Sequence, residues 1–441
     1  MKNKTPPEHP KKSKLKTFFV DALMSFMTGL VKLIFRNKIV KKTPIDTTQR
    51  YLILCTHGSG LDIFHASAAI RPMKCVVVAA KKLYFGKFTG PLLRLHGAIP
   101  KKQFVADLPA MRLMKNAADA GNNLLLCPEG RSTPDGKNSY ITPAAAKLIK
   151  WIGLPVLFVK PQGSYLTFPR WAKSLRFGKM TTEIGLLLTK SEVENLTGND
   201  IYQRVVGAFT FNEYDYQLDN RIKFLTSSPA KNIYRMLFIC PACKSRTDMA
   251  SDSHSVFCKK CGFRANVGTN GRLEVIKGGY DVNETDVEAA KNSGKVKKTD
   301  LAVVKGGGAA FTRIDQWVAF EKAEIEKDIL SPAFRYEIKT ELLLEDDLKH
   351  GYEKLADGTF TIDRGGITYR TESFVTENAD YRTKYAEIFY PANTLVSLSY
   401  DTHGLELYAF DGTQKYRFDH SVITYRIDLL IEAVYKNRTE N

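Results

Sequence analysis

The chain has 441 residues, of which 44% are hydrophobic and 25% are charged, so it has the composition of a globular protein with roughly two to four domains. Its 65 lysines and arginines and 47 aspartates and glutamates give a formal net charge of +18. This charge favours an anionic partner, namely nucleic acid, acidic phospholipid or a phosphorylated substrate. With seven cysteines and no export signal, a disulfide framework is not expected.

The first predicted element is a basic segment at residues 1–45. Residues 1–42 hold eleven lysines and arginines but only Glu8 and Asp21, a net charge of +9. The apolar stretch LKTFFVDALMSFMTGLVKLIF within it is interrupted by charges and falls short of the roughly 20 apolar residues that a spanning helix needs. We therefore expect an amphipathic helix on an anionic membrane surface. An amphipathic helix docked on the protein's own core is the alternative.

No small-residue cleavage site follows this apolar stretch, so a secretory signal is not expected. The expected location is cytoplasmic, peripheral on the cytoplasmic face of the cell membrane.

A domain of the α/β class is predicted for residues 46–235. Short apolar runs alternate with helical patterns up to about residue 210, which is typical of a sheet flanked by helices, and residues 191–239 also have a helical pattern. The carboxyl ends of strands gather at one sheet edge, so His57 and Glu129, each just after a predicted strand, are expected to share a cleft. The predicted strands are residues 51–56, 75–80, 123–128 and 154–160.

Four of the seven cysteines form two CxxC pairs in a segment predicted at residues 236–276. Cys240 and Cys243 are separated from Cys258 and Cys261 by 14 residues, a spacing that suits four thiolates around a structural zinc ion. Two reduced redox pairs are the alternative, but no thioredoxin-like pattern surrounds them. The other cysteines, Cys55, Cys75 and Cys127, lie in apolar runs and are expected to behave as small hydrophobic residues.

The rest of the chain has a different pattern. Residues 277–308 are polar and rich in glycine and lysine, which predicts a linker or mobile insertion. Residues 309–441 alternate in the manner of an antiparallel β domain and end in a helical pattern, with hairpin turns predicted at DRGG and at Asp411-Gly412. This last domain faintly resembles a pleckstrin-homology-like barrel.

The stretch HGSGLD, residues 57–62, has two compatible interpretations. Ser59 and Asp62 have the spacing of a capping box, in which both side chains satisfy the first amides of a helix. Alternatively, the Asp62 carboxylate contacts one nitrogen of His57 and leaves the other to take a proton. The sequence lacks a G-x-S-x-G hydrolase elbow, a phosphate-binding loop and a dinucleotide-binding glycine motif.

Two further stretches suggest anion binding. In PEGRS, Glu129 and Arg131 flank Gly130 just past a strand, where amides and a guanidinium can hold a phosphate. A polar turn ending at Asp135-Gly136 is the alternative. In GAIPKKQ, Lys101 and Lys102 follow an apolar turn, although such lysine pairs are usually only solvated.

In this order, HGSGLD, GAIPKK, PEGRS and GLPVLFV resemble the four sequence blocks of the glycerolipid acyltransferase family, which includes the 1-acyl-glycerol-3-phosphate acyltransferases. The resemblance covers about residues 45–210. It implies that His57 takes a proton from an acceptor hydroxyl, which attacks an acyl thioester, and that Asp62 orients His57. The substrate-binding residues that it suggests are Ser59, Lys101, Lys102, Glu129, Gly130, Arg131 and Ser132.

The match departs from the family pattern at three points. The arginine of the third block comes one place early at Arg131, lysine stands where the second block usually has arginine, and Thr56 precedes the histidine in place of asparagine. The paired cysteines resemble a zinc-ribbon insert that follows the acyltransferase domain in some bacterial relatives.

The resemblance implies a membrane-associated enzyme that transfers a fatty acyl group from acyl-CoA or acyl carrier protein to lysophosphatidic acid or a related phosphorylated lipid. Its expected partners are an anionic phospholipid surface, the lysophospholipid acceptor and, as one of the two donors, acyl carrier protein. The alternative is a non-catalytic zinc-ribbon module that binds nucleic acid or anionic membrane. Nucleic acid is the less favoured partner, because the ribbon from Cys240 onward contains only two aromatic residues, Phe257 and Phe263.

Overall fold

The computed structural model describes most of the chain. Most of the expected linker, residues 279–300 and 304–308, and the turn at Asp411-Gly412 lie outside the described residues. The described residues are 14–103, 107–172, 174–278, 301–303, 309–346, 351–392, 399–400, 406–409, 414–418 and 423–439.

A seven-stranded mixed sheet forms the centre of the first domain. Its strands are β1 Lys38–Lys41, β2 Leu52–Cys55, β3 Cys75–Ala80, β4 Ile99–Lys101, β5 Asn123–Leu126, β6 Val156–Gln162 and β7 Thr181–Leu188. They are ordered β1-β7-β6-β2-β5-β3-β4, and only the β6–β7 pair is antiparallel. The four predicted strands are all present, and the predicted α/β class is confirmed.

The structure adds three strands that the sequence pattern did not predict, namely β1 and β7 at one edge of this sheet and β4 at the other. Strand β1 lies within the segment predicted to be a membrane-surface element, residues 1–45, but it pairs in parallel with β7. The end of that segment therefore belongs to the sheet. Its four residues KIVK hold only two apolar side chains, both partly exposed, which is too short a pattern to predict a strand.

Helices cover both faces of the sheet. Three of them end where glycine adopts a left-handed conformation, at Gly97 (φ +77°), Gly121 (φ +80°) and Gly153 (φ +73°). The helices are α1 Lys14–Ile34, α2 Asp62–Ala69, α3 Thr89–His96, α4 Leu108–Asp119, α5 Ala144–Ile152, α6 Ser164–Thr167, α7 Lys190–Asn195, α8 Gly198–Phe209 and α9 Glu213–Asp219.

The prediction of helix up to residue 239 is wrong beyond Asp219. Residues 220–239 are mostly irregular, with one short 3₁₀ turn at Ile233–Arg235. Their apolar run is buried in the core as irregular chain, and Leu237, Phe238 and Ile239 are all 0% exposed. A short apolar run does not by itself distinguish helix from other buried structure.

The paired-cysteine segment forms a small antiparallel sheet. Its strands are β8 Met249–Ser251, β9 Ser255–Cys258, β10 Arg264–Val267 and β11 Leu273–Lys277, in the order β11-β10-β9-β8. A two-stranded pair, β12 Leu301–Val303 and β13 Ala309–Phe311, precedes helix α10 at Ile314–Leu330.

The last domain is an antiparallel sheet closed by a helix, as predicted. Its order is β17-β16-β15-β14-β20-β19-β18, and Asp363 pairs with Gly366 across the predicted DRGG turn. The likeness to a pleckstrin-homology barrel stays a prediction. The elements are β14 Arg335–Asp346, β15 Gly351–Asp363, β16 Gly366–Phe374, α11 Ala379–Lys384, β17 Glu387–Pro391, β18 Ser399–Tyr400, β19 Glu406–Ala409, β20 Gln414–Phe418 and α12 Thr424–Thr439.

One hydrophobic core runs through the cysteine segment, α10, the last sheet and α12. The Trp317 indole of α10 donates a hydrogen bond to the Ile239 carbonyl over 2.9 Å, and the Ile239 amide donates to Glu321 over 2.7 Å. The first domain joins this core through side chains such as Tyr165 and Trp171. The core is therefore continuous across the boundaries predicted at residues 276 and 309.

Candidate active site

Three neighbouring parallel strands end at the same place in the first sheet. Strand β2 lies between β5 and β6, with Leu54 in register with Leu126 and Phe158. His57 follows β2, Glu129 follows β5 and Ser164 follows β6. The expectation that His57 and Glu129 lie at one edge of the sheet agrees with this topology.

His57 and Asp62 are in direct contact. His57 Nδ1 lies 2.9 Å from Asp62 Oδ2, and the side chains are 28% and 2% exposed, respectively. Asp62 is the first residue of α2, so the helix start fixes the position of its carboxylate. With Nδ1 engaged by the carboxylate, Nε2 is the nitrogen left to exchange a proton.

The same carboxylate also binds the backbone. The Ser59 amide donates to Asp62 Oδ2 over 2.9 Å, and Ser59 Oγ accepts from the Leu61 amide over 3.2 Å. The capping box forms only in part, because Asp62 accepts from the Ser59 amide while the Ser59 hydroxyl accepts from Leu61, and the helix has no side-chain cap at its start. The contact between Asp62 and the imidazole is present as the other interpretation expects.

Ser164 is a residue of the site that sequence reasoning missed. Its hydroxyl donates a hydrogen bond to Asp62 Oδ1, and its Oγ lies 2.8 Å from Ser59 Oγ. Ser59, a predicted substrate-binding residue, is 3% exposed and faces this network. The available signal for Ser164 was its position just after β6, the other neighbour of β2.

The charges around His57 shift its pKa upward. Burial lowers the pKa, but the negative charges of Cys127, Asp62 and Glu129, together with the Asp62 hydrogen bond, raise it to about 9. Burial likewise raises the pKa of the Glu129 carboxyl to about 8, although the charge of His57 opposes this shift. In the free protein at neutral pH, His57 is therefore mainly protonated and Glu129 mainly neutral.

Glu129 and Gly130 form the start of a turn beside the site. Glu129 is 1% exposed, and its Oε2 accepts from the Ser139 amide over 3.4 Å. Its Oε1 accepts no hydrogen bond within the described part of the chain. Gly130 has φ +72°, which glycine adopts without strain, and its carbonyl accepts from the Gln103 side chain.

Arg131 contacts the C-terminal domain, and Ser132 contacts Arg170 of the first domain. Arg131 Nη1 lies 2.5 Å from Asp428 Oδ1 of α12, and both side chains are buried. The Ser132 carbonyl accepts from Arg170 over 3.1 Å. The structure thus places the Arg131 guanidinium in a buried ion pair, and its predicted role in substrate binding stays a prediction.

The lysine pair lies at the end of β4. Lys101 is partly buried, its Nζ donates to the Lys102 carbonyl over 2.8 Å, and burial lowers its pKa. The Lys102 amide donates to Asp107 over 2.7 Å. Because Gln103 contacts the Gly130 carbonyl, the lysine segment adjoins the Glu129 turn.

The four paired cysteines, which lie far from His57 in the sequence, come together in the folded chain. All four Sγ atoms lie within 4.8 Å of one another, with Cys240 and Cys261 3.6 Å apart and Cys243 and Cys258 3.7 Å apart. Zinc–sulfur bonds of about 2.3 Å in a tetrahedron place sulfurs about 3.8 Å apart, so the donor set fits zinc. Four thiolates leave no open coordination position, and such an ion stabilises the fold only.

Comparison with known proteins agrees with this geometry. Residues 36–159, which include His57, Asp62 and Glu129, match the family model described as Acyltransferase. No curated protein matches the chain. The crystal structure of the 1-acyl-sn-glycerophosphate (LPA) acyltransferase PlsC from Thermotoga maritima is 19% identical with a TM-score of 0.35, and the match covers 44% of this chain and 81% of that one. The match to the acyltransferase family model thus lies on residues 36–159, the part of the chain that holds the candidate site.

Proposed function

We propose that the protein is a membrane-surface O-acyltransferase that moves a fatty acyl group from acyl-CoA or acyl carrier protein to 1-acyl-glycerol-3-phosphate or a related phosphorylated lipid. The observation that carries the proposal is the His57–Asp62 contact of 2.9 Å inside the matched domain. The acyl donor, the acceptor and the membrane association are parts of the proposal.

His57 acts as the general base in this reaction. Neutral Nε2 takes the proton of the acceptor hydroxyl as its oxygen attacks the thioester carbonyl carbon. The carbon–sulfur bond then breaks, and the proton held on His57 passes to the leaving thiolate, so one ester and one thiol are formed. Asp62 stabilises the imidazolium between these steps and holds the ring in place through Nδ1.

The acceptor phosphate is assigned to the lysine segment and the Glu129 turn. The lysine segment adjoins this turn through Gln103, so Lys101 is assigned the positive charge that faces the phosphate, and the Glu129 carboxyl is assigned a hydrogen bond with the acceptor. The buried Oε1 of Glu129, without a hydrogen bond in the described residues, is a polar atom that such a ligand can satisfy.

Helix α1 supports the membrane part of the proposal. Val31 and Phe35, at and just after its end, pack against the protein, being 6% and 1% exposed. The opposite side exposes Phe26 (65%) and Leu33 (75%), with Lys32 beside them. The packed face agrees with the alternative expectation of a helix docked on the protein, and the exposed face is the one that we propose contacts the membrane. None of the described helices has the length and apolar character needed to cross a bilayer.

The aromatic residues of the ribbon weaken the alternative function of binding nucleic acid. The Arg264 guanidinium lies over the Phe257 ring, 4.3 Å from its centre. Phe263 is 1% exposed and packs edge-on against Trp317. Since Arg264 covers one face of the Phe257 ring and Phe263 is buried, little aromatic surface is left on the ribbon for a base to stack on.

The test is acyl transfer to lysophosphatidic acid by the purified full chain on phospholipid vesicles, with long-chain acyl-CoA and acyl carrier protein as parallel donors. Removing a general base typically costs about 10²–10⁴-fold in rate. We expect His57→Ala to lose activity by that factor while the protein stays folded and keeps the zinc content of the wild type. His254→Ala, in a surface turn of the ribbon, is the matched control and is expected to keep full activity.

The outcomes separate the parts of the proposal. If only one of the two donors supports acyl transfer, that result identifies the donor. Wild-type protein that acylates other phosphorylated lipids but not lysophosphatidic acid changes the acceptor and leaves the reaction in place. Activity that survives His57→Ala overturns the catalytic assignment.

A further inference from the structure

We propose that the C-terminal helix α12 is a working part of the acyltransferase site, with Asp428 as a positioning residue that acts through Arg131. This inference rests on the proposed function, because it concerns how residues 129–137, called here the site turn, are held beside His57. The sequence could not predict the contact between Asp428 and Arg131, since the two residues are 297 residues apart.

The inner side of the site turn contacts the catalytic histidine. The Thr133 amide donates to the His57 carbonyl over 2.7 Å, so the turn is bonded to the backbone of the histidine itself. Glu129 lies close enough for its charge to act on His57. A displacement of the turn therefore changes both the support of His57 and the position of the Glu129 carboxyl.

The outer side of the same turn is held by α12. Arg131 Nη1 lies 2.5 Å from Asp428 Oδ1, and the two side chains are 4% and 0% exposed. An ion pair buried this deeply gives little net stability, because desolvation of both charges offsets their attraction. Its effect is geometric, since the Nη1–Oδ1 contact fixes the distance between the Arg131 guanidinium and the Asp428 carboxylate.

A second attachment lies one helical turn away on α12. Tyr425 donates to Asp135 Oδ2 over 3.2 Å, and Lys322 of α10 contacts the same oxygen over 2.7 Å. Residues three apart share a helix face, so Tyr425 and Asp428 together present one face of α12 to the site turn. Two contacts along one face fix the turn against rotation as well as translation.

Helix α12 is itself anchored in the large core. Ile427, Leu430 and Ile431 are 0–2% exposed and belong to the same cluster as the C-terminal sheet. The site turn is therefore fastened to an element whose position is set by the last domain. This makes the last domain a support of the acyltransferase site.

The test compares Asp428→Asn with Asp328→Asn in the full zinc-loaded chain. Asp328 forms an ion pair between α10 and Arg246 of the ribbon at 2.7 Å, away from the site turn, so it controls for loss of a carboxylate in this part of the fold. Misplacement of a catalytic group by about 1 Å can cost about 100-fold in rate. We expect Asp428→Asn to lower kcat between about 10- and 100-fold with little change in KM for the acyl donor, and Asp328→Asn to stay within about twofold.

Hydrogen exchange of the site-turn amides gives a readout that does not depend on any substrate. In Asp428→Asn, the amides of Thr133, Gly136 and Lys137 are expected to exchange faster, while those of the ribbon keep wild-type rates. If the wild type shows no acyl transfer but this exchange difference appears, the proposed function fails and the positioning role stands. A folded Asp428→Asn protein with wild-type exchange and wild-type kcat overturns the inference.

A double variant covers the case in which Asp428→Asn does not fold. Arg131→Met with Asp428→Leu removes both charges at similar volume, a change that often preserves stability at a buried ion pair. We expect this protein to fold and to show kcat at least about 10-fold below the wild type. Full activity in the folded double variant would show that the ion pair is only structural.

Discussion

Ser164 donates a hydrogen bond to Asp62 Oδ1, while His57 Nδ1 contacts Oδ2 of the same carboxylate. The carboxylate is thus held on both oxygens, by a serine that follows one strand and a histidine that follows its neighbour. An aspartate with both oxygens engaged cannot rotate, so the orientation of His57 depends on Ser164.

We expect Ser164→Ala to reduce kcat by about 10-fold, because a hydrogen bond to a charged group is worth roughly 1.5–3 kcal/mol. The measurement is the steady-state rate of acyl transfer across pH, since a change in the carboxylate's hydrogen bonds also shifts the apparent pKa of His57. Ser255→Ala, another buried serine that bonds within the ribbon, is the matched control. Equal rates and pH profiles for both variants and the wild type would contradict a positioning role.

The raised pKa of His57 predicts the pH dependence of the reaction. Only the neutral imidazole can take the hydroxyl proton, and the pKa lies near 9. We therefore expect kcat/KM to rise about tenfold per pH unit at lower pH and to level off above about pH 9. A plateau that begins near pH 6.5 would show that the charges around His57 do not act in the working enzyme.

The same shift has a consequence for stability. The folded chain holds the His57 proton more tightly than the unfolded chain, whose histidine titrates near pH 6.5. Its contribution to the free energy of unfolding is therefore complete below about pH 6.5 and is lost as pH rises through about 9. Below about pH 6.5, the wild type should therefore unfold at a higher temperature than His57→Ala. The difference should shrink as pH rises toward about 9.

Cys127 offers a direct test of the charges around His57. Burial opposes the upward shift, and the charge of Cys127 comes first among the groups that raise the pKa of His57. We expect Cys127→Ala to move the pH profile to lower pH and to increase the rate at pH 7. Cys75→Ala is the control, because burial raises the pKa of that thiol to about 12 and it carries no charge at neutral pH. An unchanged profile in Cys127→Ala would assign the shift to Asp62 and Glu129 alone.

The sequence predicted the parts of the site that are local in the chain. His57 and Asp62 are five residues apart, and the cysteines come in close pairs, so spacing alone indicates their chemistry. In contrast, Ser164 lies 102 residues from Asp62, and Asp428 lies 297 residues from Arg131. Their contacts depend on strand order and on docking of the last domain, which hydrophobic periodicity does not encode.

The fold shows the same division. Strands with strong apolar runs, such as Cys75–Ala80, were predicted with correct bounds. Strand Lys38–Lys41 was missed because it is short and only half-buried, and the helix expected beyond Asp219 was wrong because its apolar residues are buried by tertiary packing. The shared core of the ribbon and α10 was likewise not predictable, since nothing in the spacing joins Ile239 to Trp317.

The cysteine cluster predicts one zinc ion per chain that stabilises the ribbon and the core attached to it. We expect Cys261→Ser to lower the zinc content and the temperature of unfolding, because metal binding and folding are coupled in small ribbons. Zinc per chain is measured by elemental analysis, with Cys75→Ser as the control that keeps the metal. A Cys261→Ser protein with full zinc content would contradict the assignment of Cys261 as a ligand of the ion.

Helix α1 provides the test of membrane association. Its outer face exposes Phe26 and Leu33, and burying a large apolar side chain contributes about 1.5–3 kcal/mol. We expect the double variant Phe26→Glu with Leu33→Glu to bind vesicles containing phosphatidylglycerol at least about 30-fold more weakly than the wild type. Its rate on a short-chain, water-soluble acceptor should not change, because both side chains lie on the exposed face of the helix and not on the face that packs against the protein. Leu330→Glu, which alters an apolar residue 60% exposed at the end of α10, is the matched control and should bind vesicles as the wild type does.

Two outcomes would contradict this account of membrane binding. If the wild type binds equally strongly to vesicles of phosphatidylcholine alone, the lysines near this helix play no role in binding. If the double variant still binds, the membrane contact lies on another surface of the protein.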